Sequence, residues 1–133
     1  MSSDVPSFHD GSVMGVVLGK ELATLYMRQS SGQEFTLTLE GLEFLQMEDF
    51  REGNIVLSFE IVTRNMPYKN IPFNRLFVPP HHLAETQYHE RYQAFVTRQI
   101  SRIASGETKL IIILPSLGAD LLAICQEVTC RRF

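Results

Sequence analysis

Three polar residues invite a metal-centre reading. His82, Glu85 and His89 stand at i, i+3 and i+7, close to one face of a helix. Two imidazoles and a carboxylate suit zinc or iron. The pattern is not HExxH, which sets two histidines four apart with glutamate beside the first. Glutamate in a first helical turn is favoured by the macrodipole alone. The expectation is solvent-facing side chains, with no bound metal and no other cofactor.

Other reactive pairs fail on context. His9-Asp10 is the dipeptide of metal-dependent phosphohydrolases, but here it precedes a strand and lacks further ligands. Asp10-Gly11 reads as a turn, with His9 hydrogen-bonded near a sheet edge. Ser116 with Gly118 is half of a nucleophile elbow, which needs glycine two residues before the serine; Leu114 is there instead. No glycine pattern suits phosphate. Cys125 and Cys130 stand five positions apart, so one regular strand points them to opposite faces. Both read as free thiols.

Binding residues are easier to nominate. Arg64 to Arg75 mixes arginine, asparagine, methionine and aromatics in a turn-rich stretch, a composition common at interface centres. Met66, Tyr68, Phe73 and Arg75 are its candidates. Tyr88, Arg91 and Tyr92 near a helix start extend the set. A pocket between sheet and helix, lined by Tyr88, Tyr92, His89, Glu85 and Arg91, is the alternative and would suit a small ligand or a metal-dependent enzyme.

The elements that must carry these residues are mostly strands. Val13–Leu18, Leu22–Arg28 and Phe35–Glu40 alternate apolar and polar, the pattern of half-buried antiparallel strands. The apolar parity slips at Gly41, which suggests a bend. Asn54–Arg64 alternates cleanly, with Ile55, Leu57, Phe59 and Ile61 on the face expected to be buried. The other expected core residues are Phe35, Leu37, Leu39, Ile111 and Ile113. Ile71–Val78 contains Pro72 and is an edge strand at best.

Then the period changes. Residues 83–104 hold no Gly or Pro, and Tyr92, Phe95, Val96, Gln99, Ile100 and Ile103 recur at helical spacing. One amphipathic helix of about six turns follows, ending at Gly106 as a left-handed cap. Lys109–Leu114 is an apolar strand covered on both faces. Pro115–Gly118 reads as a turn. Residues 119–129 fit helix or strand; a strand is expected, because a tight turn after Leu114 makes a hairpin.

A length of 133 residues suggests one domain, 1–133, with 1–8 a loose arm and 79–106 a helical insertion. The net charge of −3 argues against general nucleic-acid binding. The run Leu110–Leu114 is too short to span a bilayer, and the N-terminal residues show no signal-peptide pattern. The expectation is a cytoplasmic protein that does not enter membranes.

Phe8-His9-Asp10-Gly11-Ser12-Val13, the run Leu39–Leu45, Asp49–Ile55 and Leu117–Ala123 together resemble a group of small uncharacterised bacterial all-β proteins. Some of these look like immunity proteins of contact-dependent toxin systems. The resemblance implies a bacterial protein with a protein partner and supplies no catalytic residue. The combined expectation is a mainly β (α+β) fold: an antiparallel sandwich or bent sheet with one long helix over 83–104. The function expected is non-catalytic binding to a protein partner or to itself, as a homodimer burying part of 66–77 or the helix start.

Overall fold

The computed structural model describes residues 5–64 and 71–133. It is mainly β. Strands β1 (Ser12–Gly19), β2 (Leu22–Arg28), β3 (Glu34–Glu40) and β8 (Glu127–Arg132) form one antiparallel sheet in the order β1-β2-β3-β8. Strands β4 (Phe44–Glu48), β5 (Ile55–Val62), β6 (Lys109–Leu117) and β7 (Asp120–Cys125) form the second, in the order β4-β7-β6-β5. Between β5 and β6 lie a short helix α1 (Phe73–Leu76) and a long one, α2 (Thr86–Ser105).

The parity slip at Gly41 marks a change of sheet. β3 belongs to the first sheet and β4 to the second, and β7 and β8 cross beside them in the other direction. Such corners need a bend in each strand. Gly41 has φ +64, and a Cβ there would lie 2.8 Å from Cβ of Gln126. Gln126 N–H donates to Glu40 O at 2.9 Å, and Glu43 N–H to Ile124 O at 2.9 Å. A glycine is required because two chains cross at contact distance in a left-handed conformation.

Leu25, Met27, Leu37, Leu39, Ile111, Ile113 and Leu121 fill the space between the sheets. The alternate residues Leu110, Ile112, Leu122 and Ile124 point outward and are covered by Val96 and Ile103 of α2 and by Phe77. The expected double coverage of β6 is therefore found. Helix α2 begins at Thr86 rather than residue 83, because His81–Ala84 makes a turn (Ala84 N–H to His81 O, 2.8 Å) and Glu85 is extended. It ends at Gly106, φ 87, as expected.

Four expectations are corrected. In β5 Val56 and Val62 are buried and Phe59 and Ile61 half-buried against the core, whereas Ile55 is 39% and Leu57 47% exposed. Val56 pairs with Pro115 and Ser58 with Leu114, so Leu57 is an extra, bulged residue that reverses the parity. Residues 5–8 are not loose: Phe8 is 1% exposed, between Phe35 and Phe59 at ring-centroid distances of 5.7 and 5.8 Å. Residues 73–76 are helical instead of an edge strand, with Pro72 as N-cap, a position where a missing N–H costs nothing. Strand β6 runs on through Leu117, so the turn is at Gly118-Ala119. Residues 120–125 and 127–132 are strands, as chosen over helix.

Candidate functional site

Three of the six aromatic and cationic residues nominated from sequence, Phe73, Arg75 and Tyr92, are spent inside the molecule. Phe73 stacks on Phe77, with ring centroids 5.9 Å apart. Tyr92 donates its hydroxyl hydrogen to Phe77 O at 2.6 Å, and burial pushes its phenol above the usual range. Arg75 reaches back from α1 to Glu48 (3.1 Å), Asp120 (2.9 Å) and Gln46 (2.7 Å), so it anchors the short helix to β4 and β7. Phe44, Phe77 and Phe95 pack edge to face between α2 and the second sheet, filling the space where a helix–sheet pocket was considered.

Tyr88 and Arg91 do face solvent, with the Arg91 guanidinium 5.8 Å from the Tyr88 ring centroid. Met66 and Tyr68 lie outside the described residues. His82 stacks on His81 at 4.3 Å in the turn before α2, while Glu85 is the helix N-cap. Among the described residues no three His, Cys, Asp or Glu side chains come together as a ligand set. His82, Glu85 and His89 are therefore not brought together as a ligand set.

A different site emerges at the seam between the sheets. A groove of about 1330 Å³ runs between β5, the edge of one sheet, and β8, the edge of the other. One wall is Leu57 to Thr63, the other Glu127 to Cys130. Phe8, Phe59, Ile61 and Val128 form an apolar floor. The arm Val5–His9 closes one end. There Asp10 N–H donates to Val56 O and Val56 N–H to Gly11 O, both at 2.8 Å. His9 Nδ1 lies 2.8 Å from Leu57 O, the edge-hydrogen-bonded role expected for it. At the other end stand Arg64, Gly106 and Lys109.

The walls are edge strands, and edge strands carry backbone groups that no neighbouring strand pairs. Among the described residues, β5 pairs only with β6 and β8 only with β3. Among the described residues, no further backbone partner reaches β5 from Ser58 to Val62.

The lysine and the thiols in or near the groove are poorly placed to act as nucleophiles. Lys109 Nζ lies 3.1 Å from the Glu127 carboxylate and donates to Gln126 O at 3.1 Å. Burial raises the Cys130 thiol above its ordinary value and holds Cys125 at about 12. Thiols so shifted are weak nucleophiles near neutral pH. The arrangement can bind, and its walls are made of backbone.

No family model matches this chain, and no curated protein or solved structure does either. Among the described residues, no helix is long and apolar enough to cross a membrane.

Residues far apart in sequence meet in the groove, from Val5 to Cys130. Arg64 fell within the turn-rich stretch nominated from composition. Leu57 and Phe59 carried only a core signal, and Thr129 none.

Proposed function

We propose that this chain is a non-catalytic binding protein that takes an extended segment of a partner protein into the groove between β5 and β8. One observation carries the reading: two unpaired strand edges face each other across an apolar floor. An extended peptide satisfies edge N–H and C=O groups while its side chains enter apolar pockets. An alkyl or aromatic small molecule would desolvate those groups without replacing their hydrogen bonds, at a cost of about 1–3 kcal/mol each. The groove volume of about 1330 Å³ also exceeds the roughly 300–1,000 Å³ usual for small-molecule pockets.

The strand resemblance supports a bacterial setting and an immunity-type partner. A partner other than a second copy is favoured because Phe73 and Tyr92, two of the residues that suggested a self-association face, are packed internally, while Tyr88, a third, stays exposed.

The test is selection from a phage-displayed library of random decapeptides. The bait is the wild type, with Leu57→Trp/Thr129→Trp as the counter-bait, bulky on both walls. Selected peptides should bind the double variant at least ten-fold more weakly and should protect amides between Ser58 and Val62 from hydrogen exchange. Peptides that bind both proteins equally, or no selection at all, would overturn the reading. Concentration-dependent dimerisation abolished by the same double variant would replace the partner protein with a second copy.

A further inference from the structure

The two ends of the groove differ in charge. At the arm end, the His9 ring is held to Leu57 O at 2.8 Å, and its other nitrogen is 3.5 Å from the Asp10 carboxylate. Among the described residues, two cations stand at the opposite end. Lys109 is matched by Glu127 at 3.1 Å. Arg64 is exposed, and among the described residues no carboxylate lies within ion-pair distance of it. Lys109 and Glu127 cancel, so Arg64 leaves a positive groove end on a chain whose net charge is −3.

Arg64 is also seated. Its backbone N–H donates to Ile103 O at 2.8 Å, and φ is 66. The guanidinium crosses the C-terminus of α2, where Nη1 reaches Ser105 O at 3.4 Å. Gly106 makes room for it: a Cβ there would lie 2.6 Å from Arg64 Cζ. That one long bond uses a single donor of the five a guanidinium carries. The remaining fork suits a carboxylate, which arginine binds in bidentate geometry.

We infer that the segment held by this groove is acidic at the end that meets Arg64. The inference rests on the groove reading and specifies its partner. From Ser58 to Thr63 the wall is about 20 Å long at roughly 3.4 Å per residue, so the segment lies extended for about that length and presents its Asp or Glu at one terminus. A free C-terminal carboxylate offers the same two oxygens, and the test separates the two sources.

The experiment repeats the decapeptide selection on the wild type, Arg64→Glu and Arg64→Lys. Groove-dependent peptides from the wild type should carry Asp or Glu near one end. They should bind Arg64→Glu at least ten-fold more weakly and Arg64→Lys within a few-fold. Selection on Arg64→Glu should turn to Lys or Arg at the same position. Amidating the peptide C-terminus should leave binding intact if a side chain is read; loss on amidation would assign the terminal carboxylate instead and leave the charge inference standing. Groove-dependent peptides with no acidic preference, or acidic peptides indifferent to Arg64→Glu, would overturn this inference while the groove reading survived. Peptides that ignore Leu57→Trp/Thr129→Trp would remove the groove reading itself.

Discussion

Arg102 grips Glu43 with two guanidinium nitrogens, at 2.6 and 2.7 Å. One residue is in the last turn of α2; the other stands where the chain passes from the first sheet to the second. Glu107 at 2.6 Å and Gln99 at 3.1 Å complete the cluster. The pair ties the helix to the corner that creates the two-sheet architecture. The Arg102 hydrogen bonds hold the Glu43 carboxyl below its ordinary value of 4.5.

That depression sets a sign for acid stability. Glu43 binds a proton more readily unfolded than folded. Its contribution is therefore present above about pH 4.5 and is lost as pH falls through the lower folded value. Arg102→Met should cost about 1.5–3 kcal/mol, the range for hydrogen bonds to charged groups. Urea titrations at pH 7 and pH 3 check this: the difference between wild type and Arg102→Met should shrink at the lower pH.

Asn54 forms a rung between the sheets. Its side chain accepts from Val13 N–H at 2.8 Å and donates to Val13 O at 2.9 Å and Arg51 O at 2.7 Å. Asn54→Leu should leave these groups unpaired in a buried place, at about 1–3 kcal/mol for each group orphaned. A loss of at least about 2 kcal/mol is expected on that basis. The Val13 amide should also exchange faster, measured by hydrogen–deuterium exchange. An unchanged Val13 exchange rate would contradict the assigned rung.

Two leucines separate core from bulge. Leu37 has no exposed surface and Leu57 is 47% exposed. Leu37→Ala should cost about 2–5 kcal/mol as a buried truncation. Leu57→Ala should stay within about 0.5 kcal/mol, as surface changes do. Chemical denaturation of both variants decides the orientation of β5.

Phe8 anchors the arm. Phe8→Ala should cost about 3–5 kcal/mol, as for other buried aromatics, and should weaken peptide selection at the groove because Phe8 is part of its floor. Thermal melts read the first effect, peptide titrations the second.

The thiols supply a test at alkaline pH. Burial raises Cys125 from 9.0 to about 12. The folded chain keeps the proton that the unfolded chain gives up, so this term is favourable below about pH 9 and fades as pH rises towards 12. In the native protein at pH 8, Cys125 should resist a thiol-reactive disulfide reagent, and in urea both cysteines should react fully.

The local period determined much of this protein. Alternation in β2 and β3, helical spacing in α2, the apolar run of β6 and the parity slip at Gly41 were all legible, because each is a property of neighbours along the chain. Tertiary structure decided the rest. The Leu57 bulge turns Ile55 and Leu57 outward and leaves Val56 inside, where Asp10 and Gly11 bond to it from more than forty residues away. Arg75 and Tyr92 looked like surface residues by composition, yet ion pairs and one backbone hydrogen bond commit them internally. The groove was invisible for the same reason. A strand's period names its faces, but which strands are left as edges, and which edges face each other, is set by how the sheets pair and cross.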